Sequence, residues 1–158
     1  FKDQSELLKL KLLTSYHANL GKIIDIGCTP FGDRAIVEVN GGEFRGPRLK
    51  GHIRKAGVGD WLTIGDTHAH LDIRTTLDTQ DGAVIYFEIL GKLEMTEAVQ
   101  KAIAGEANTD FGEQYFFTTP KMQCGDPRYK WVNNIVCVAE GRLQSGKADF
   151  DVYEVTNS

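Results

Sequence analysis

The chain has 158 residues, of which 41% are hydrophobic and 25% charged, an ordinary balance for a globular protein with a sizeable core. Its formal net charge of −4, with basic residues scattered along the sequence, argues against a nucleic-acid-binding protein, which usually presents a basic face. No apolar run approaches the ~20 residues that a membrane-spanning helix needs, so no membrane-embedded segment is expected. We interpret residues 1–158 as a single domain.

Strand patterns dominate the chain from its beginning. Leucine and lysine alternate in LLKLKLLTSY, residues 7–16, which predicts a strand with one wet side. Glycines then divide the sequence at strand-like intervals, and Asn40-Gly41 is a hairpin turn signal. The further strand patterns cover 21–29, 33–39, 42–46, 48–56, 60–66, 68–79, 83–92, 114–120, 129–143 and 149–155. Since adjacent patterns can merge, we predict about ten strands.

One segment, TEAVQKAIAGEAN at 96–108, departs from this pattern. It is rich in helix formers, with Thr96 suited to the N-cap, Glu97 to the first turn and Gly105 to the position beyond the last turn. An antiparallel sheet of about ten strands closes into a barrel or folds into a sandwich, because open edges invite aggregation. We therefore predict an all-β fold, a single closed antiparallel β-barrel with one short helix over or beside its mouth.

The cysteines bear on location and cofactors. Cys28, Cys124 and Cys137 are odd in number and have no CxxC spacing, unlike a disulfide framework or a zinc knuckle. This usage is typical of a reducing compartment, so the expected location is the cytoplasm. The sequence also carries no GxSxG motif, phosphate-binding glycine loop or dinucleotide fingerprint, and we expect no cofactor.

Candidate catalytic residues lie on one predicted hairpin. Alternation places Asp72 and Arg74 on one face of the first strand, and an odd-length turn adds Tyr86 and Glu88 from the second. This polar face could meet water, or it could line a pocket in which Arg74 orients Asp72 as a base and Glu88 or Tyr86 donates a proton. A structural Asp72–Arg74 salt bridge is a further alternative.

Aromatic residues predict a flat wall for an aromatic ligand. Trp61 lies at a strand start, and Tyr129, Trp131 and Asn133 alternate on one face of a long strand. Together with Phe117 they form the predicted substrate-binding set, with Asn133 as a polar anchor. The same aromatics could equally fill a barrel core. Because both faces of the long strand are largely apolar, burial against a second copy in a homodimer is also expected.

A metal site is the third possibility. Asp66, His68, His70 and Asp72 recur at every second position, and such side chains on one strand face could bind a divalent cation. The HxH pair also opens the metal motif of cupin-like barrels, but its downstream glutamate and third histidine are not evident. We therefore expect no metal and keep the metal-dependent barrel as an alternative.

Several spaced elements occur in order between about Leu8 and Val155, namely GGxFxGPxLxG, DW, LDxR, DGAxI, TP and RYxWxN. In these elements the chain resembles the family catalogued as domain of unknown function 3237. The resemblance implies a closed antiparallel barrel with a central pocket, broadly lipocalin-like, and no assigned reaction for most members. Fungal relatives associated with ring closure on aromatic polyketides imply a cyclase-like member. The chain departs from the family pattern in GHIRKAGVGDW, where no second glycine follows Gly51 directly. It also reads TPKMQC, without the carboxylate common after TP, so no role of that carboxylate is carried over.

These observations predict a cofactor-free cyclase, isomerase or lyase acting on a small aromatic or polyketide-like compound in a barrel pocket. The resemblance to the fungal relatives implies a step that adds a phenolic oxygen to an alkene of the same molecule. Asp72 would accept the phenol proton, Glu88 or Tyr86 would protonate the alkene, and Trp61 and Trp131 would stabilise positive charge through their ring faces. The alternative is a non-catalytic, lipocalin-like binding protein that uses the same pocket.

Overall fold

The computed structural model describes residues 7–157, which form nine strands in one antiparallel sheet. The strands are β1 (Lys9–Thr29), β2 (Gly32–Arg45), β3 (Gly51–Ile53), β4 (Gly59–Ile64), β5 (His68–Thr79), β6 (Val84–Glu94), β7 (Phe116–Gln123), β8 (Cys137–Gln144) and β9 (Lys147–Thr156). Helix α1 (Glu97–Ile103) lies between β6 and β7, and a 3₁₀ helix (Pro127–Asn134) lies between β7 and β8. The described strands number one fewer than the sequence suggested.

The sheet closes into a barrel because the long strand β1 pairs with β9 on one side and with β2 on the other. The remaining order is β9-β8-β7-β6-β5, and both β3 and β4 bridge β5 to β2. A row of directly paired residues leaves β1 at Ser15, crosses β9, β8, β7, β6, β5, β4 and β2, and returns to β1 at Gly27, twelve positions along. Such a stagger accompanies the strand tilt of a closed barrel, and it confirms the predicted architecture.

Helix α1 is confirmed at both ends. The Thr96 hydroxyl accepts the Val99 N–H at 3.1 Å, as an N-cap side chain does, and Gly105 follows the helix with a φ of 80°. Val99 and Ala102 are buried in the hydrophobic core, and the helix packs against β8. The helix therefore covers part of the barrel core. No helix within residues 7–157 is long and apolar enough to cross a membrane.

The first strand differs from its predicted pattern. Leu10 and Leu12 are both about half exposed, although alternation with lysine predicted one wet side only. The pairing of β1 with β9 shifts register between Leu12 and Thr14, and Leu13 and Thr14 are both buried. Because an irregularity of this kind changes which residues face inward, the leucines before it remain on the outer surface.

The strand predicted over 129–143 is wrong in its first half. Asp126 and Pro127 start a 3₁₀ helix there, and β8 begins only at Cys137. The Asp126 carboxylate accepts the Arg128 N–H at 2.9 Å, and proline suits the first helical position because its fixed φ fits the helix. The capping Asp126 and the following Pro127 therefore favour a 3₁₀ helix over a strand in this segment.

Gly141 lies on the inner side of β8 between two aromatic rings. A Cβ at this position would lie 2.8 Å from Phe116 Cδ2 and 2.9 Å from Phe150 Cε1. Since overpacking a core costs roughly 1–3 kcal/mol, we expect Gly141→Ala to lower the free energy of unfolding in urea by about that amount. Gly125→Ala is the control, because a Cβ there meets nothing within 4 Å. Equal losses in both variants would contradict this packing.

Candidate functional site

The predicted catalytic residues share one face of the β5–β6 hairpin, and this face is on the outside of the barrel. Arg74 pairs with Glu88, as the odd-length turn predicted, and Tyr86 lies two positions before Glu88 on the same face. The Asp72 and Arg74 side chains are 39% and 54% exposed, whereas Leu71 on the opposite face is buried. The prediction that this polar face lines the lumen is therefore wrong. The apolar face occupies the interior because burying it is favourable.

The interior leaves little space for a ligand. A cavity of about 40 Å³ lies there, and apolar atoms form its accessible wall. Its lining residues are Tyr16, Ala18, Leu20, Val37, Val39, Ile53, Asp60, Ile73, Thr75, Ile89 and Phe150. The volume would admit about three water molecules and no aromatic ring. The central pocket implied by the family resemblance is therefore too small to be the site of a polyketide-like compound.

A groove of about 950 Å³ on the outer surface, hereafter the outer groove, is far larger. It crosses the sheet from β2 to β8, and its outward side chains form two neighbouring rows. The basic row consists of Arg34, Thr63, His70, Lys92 and Phe117, which are successive cross-strand partners. The tryptophan row consists of Trp61, Asp72, Leu90, Thr119 and Val138. Tyr115 extends the groove beyond Phe117.

The basic row contains a guanidinium group without a carboxylate partner. The chain has seven arginines, and six of them form ion pairs. Within the described part of the chain, Arg34 alone among them has no carboxylate at ion-pair distance. Its Nε donates to the Leu62 carbonyl at 3.2 Å, which leaves the terminal nitrogens available. Lys92, on the same row, is exposed and likewise has no ion-pair partner among residues 7–157.

Asp72 lies in the tryptophan row between an indole ring and an aliphatic side chain. Its cross-strand partner on β6 is Leu90. On the other side, Asp60 of β4 pairs with Ile73, so Trp61, the next residue of β4, lies beside Asp72. One of its carboxylate oxygens, Oδ1, is enclosed and accepts no hydrogen bond, although Arg74 Nε lies 3.8 Å away. A carboxylate beside aromatic and aliphatic side chains, with an oxygen that accepts no hydrogen bond, is a candidate base.

Asp60 fixes the backbone beneath this candidate base. Its side chain is buried, and its Oδ1 accepts the Asp72 N–H at 2.9 Å. This bond lies where the β4–β5 ladder is interrupted, between the pairs Asp60–Ile73 and Thr63–His70. Burial raises the pKa of Asp60 to about 6. The hydrogen bond from the Asp72 N–H lowers this pKa, and the nearby negative charge of Asp72 raises it.

Two of the five predicted substrate-binding residues line the outer groove. Trp61 is 37% exposed, and its ring extends toward Gly59, where a Cβ would lie 3.7 Å from Cζ3. Phe117 is 44% exposed and meets Tyr115 edge to face, with ring centroids 4.7 Å apart. These rings give the groove aromatic surfaces at separate positions along its length.

The other three residues belong to the 3₁₀ helix and lie elsewhere. Tyr129 Oη donates to the Asp81 carboxylate at 2.8 Å, and Trp131 lies under the Arg48 guanidinium at 3.7 Å. The Asn133 side chain bonds to backbone groups just beyond β7, at 3.0 and 2.9 Å. The prediction that these three residues share one strand face is therefore wrong, and their contacts secure the helix against the barrel.

The histidine pattern does not assemble a cluster suited to a metal. Asp66 lies in the turn before β5, His68 Nδ1 is 2.8 Å from the Thr67 hydroxyl, and His70 belongs to the basic row. Within residues 7–157, no group of three or more His, Cys, Asp or Glu side chains is placed to hold a metal ion. Tyr86 and Glu88 do not line the outer groove.

Known proteins share this architecture over almost the whole chain. The model of the family described as "Protein of unknown function (DUF3237)" matches residues 8–155. The UPF0311 protein of Rhodopseudomonas palustris is 27% identical over 149 residues, which are 94% of this chain and 97% of that one. Its crystal structure, described as a conserved protein of unknown function, gives a TM-score of 0.86.

Two further crystal structures extend the comparison. A β-barrel-like protein from Acinetobacter baumannii has a TM-score of 0.78 and 26% identity, covering 94% of this chain and 96% of its own. A structure described as an enzyme from Penicillium herquei has a TM-score of 0.65 at 16% identity, covering 99% and 100%. At that identity the likeness shows the fold alone, and the description as an enzyme applies to the fungal protein.

Proposed function

Since the chain belongs to the DUF3237 family, whose function is unknown, we propose from its geometry that the outer groove binds a small hydroxylated aromatic compound and catalyses acid–base chemistry on it. The observation that carries this proposal is Asp72, a carboxylate in the groove beside Trp61 whose Oδ1 accepts no hydrogen bond. A carboxylate placed in a concave site within reach of a ligand's hydroxyl can serve as a general base.

The size and walls of the groove support an aromatic ligand. Its volume of about 950 Å³ lies within the 300–1,000 Å³ that small-molecule sites commonly occupy. Trp61 on one side and Phe117 on the other offer ring surfaces, and Leu90 lies between their strands. A flat ring laid on these groups would gain aromatic contacts and remove apolar area from water.

The polar groups support proton transfer between two positions of such a ligand. In the proposed ring closure, Asp72 takes the phenolic proton while the phenolic oxygen forms a C–O bond to one alkene carbon. The π electrons of the alkene then take a proton from an acid at the other carbon, so that atoms and electrons balance without an oxidant. We assign the acid role to His70, which lies two residues before Asp72 on the same face.

The two tryptophans provide a matched test of the binding step. We expect 6-hydroxy-2-naphthoic acid to bind the wild-type protein in isothermal titration calorimetry. Trp61→Ala should weaken binding at least tenfold, which is about 1.4 kcal/mol, because its ring forms part of the groove wall. Trp131→Ala, outside the groove, should stay within twofold. Weakening in Trp131→Ala alone, or no binding by the wild type, would contradict the proposal.

A further inference from the structure

We propose that the ligand of the outer groove is an anion, an aromatic acid whose carboxylate is bound between Arg34 and Lys92. This inference rests on the proposed function of the groove and adds the chemical class of its ligand.

Among the described residues, Arg34 is the one arginine without a carboxylate partner. The chain carries a formal net charge of −4, and six of its seven arginines have found a carboxylate partner. Arg34 has none among the described residues, although it lies in a groove. A guanidinium presents a planar fork of N–H donors that matches a carboxylate, and such charge-assisted bonds are stronger than neutral ones. An incoming anion would therefore supply the partner that the protein does not.

The two cations are placed so that both can reach one anion. Arg34 and Lys92 flank Thr63 and His70 in the basic row, so that three strand spacings separate them. At 4.7–4.9 Å per spacing their backbones are about 14 Å apart, and two long side chains can approach one anion from opposite sides. The carboxylate would then lie over Thr63, whose hydroxyl can add a hydrogen bond, and His70 stays available as the acid for the alkene.

The negative charge of the groove lies apart from these two cations. Asp72 is the one carboxylate that lines the outer groove within the described residues, and it belongs to the neighbouring row. It repels the ligand's acid group and so favours an orientation with that group over the basic row. Residues two positions apart on a strand are separated by about 6.6–6.8 Å. The acid group and the hydroxyl that meets Asp72 should therefore lie on opposite sides of the ligand's ring system.

Calorimetry with a matched pair of ligands tests the charge directly. We would compare 6-hydroxy-2-naphthoic acid with its methyl ester, which keeps the rings and the hydroxyl but loses the charge. The wild-type protein should bind the acid at least tenfold more tightly than the ester. Raising the salt concentration should weaken binding of the acid more than binding of the ester, because salt screens exposed charges.

Variants locate the anion. Arg34→Met and Lys92→Met should each weaken binding of the acid several-fold and leave the affinity for the ester within twofold of the wild type. Lys121→Met is the control, since this exposed lysine of β7 pairs with Glu88 outside the groove. Equal affinity for acid and ester, or an acid preference that survives both groove variants, would overturn the inference while leaving the groove as a ligand site. If neither compound binds, the proposed function fails and this inference fails with it.

Discussion

Asp72→Asn is expected to slow ring closure by about 10²–10⁴-fold, which is the usual contribution of a general base. The amide keeps the shape of the side chain but cannot take the phenolic proton. The substrate to use is 4-hydroxy-3-(3-methylbut-2-enyl)benzoic acid. Its hydroxyl lies opposite the carboxylate on the ring, and the alkene side chain is attached next to the hydroxyl. Its ring-closed product has the same mass, so liquid chromatography and NMR would measure turnover.

Glu88→Gln is the matched control for this variant. Glu88 lies on the same outer face of the hairpin but does not line the groove, so its turnover should remain within twofold of the wild type. Equal losses in both variants would show that the effect does not arise in the groove. If the wild-type protein binds the acid and returns it unchanged, the groove is a binding site and the acid–base role of Asp72 fails.

Asp60→Asn is expected to change how stability depends on pH. Burial raises the pKa of Asp60 in the folded protein from its ordinary 3.8 to about 6. The folded state therefore holds this proton more tightly than the unfolded state. The stabilising contribution is complete below about pH 4 and is lost as the pH rises through about 6. Its size is roughly 2–3 kcal/mol, following from two units of pKa difference.

Comparison with the variant isolates this contribution. Other carboxylates make the stability rise with pH, because their pKa values are lowered in the folded protein. Arg128 holds the pKa of Asp126 at about 2, and Arg45 lowers the pKa of Glu43. These groups titrate equally in both proteins, and the asparagine Oδ1 can still accept the Asp72 N–H. Urea unfolding between pH 4 and 8 should show Asp60→Asn gaining roughly 2–3 kcal/mol relative to the wild type as the pH rises. A difference that stays constant with pH would contradict the account.

Local signals predicted the elements whose causes are local. The α1 boundaries follow from Thr96 and Gly105, because capping depends on a few neighbouring residues. Alternation likewise placed Glu88 on the same face as Arg74, since strand periodicity and the turn length set that register. The Asp126-Pro127 start of the 3₁₀ helix was also a local signal, but the apolar run that follows it favoured a strand.

The candidate site could not be predicted in the same way. Alternation shows which residues share a face of a strand, but not which face lies inside the barrel. The resemblance to a family with a central pocket favoured an inward-facing Asp72, which is wrong. In the basic row, the hairpin register places His70 beside Lys92, but Arg34 comes beside Thr63 through a pairing between β2 and β4, which are not consecutive strands. No spacing pattern marks such a row. It becomes visible only when the register of the closed sheet is known.

The most direct test of the outer groove as the ligand site is a crystal structure of the protein with 6-hydroxy-2-naphthoic acid bound. The account predicts ring density between Trp61 and Phe117, the hydroxyl facing Asp72, and the carboxylate in contact with Arg34 and Lys92. Ligand in the barrel interior, or an outer groove that remains empty while the compound binds elsewhere, would contradict it.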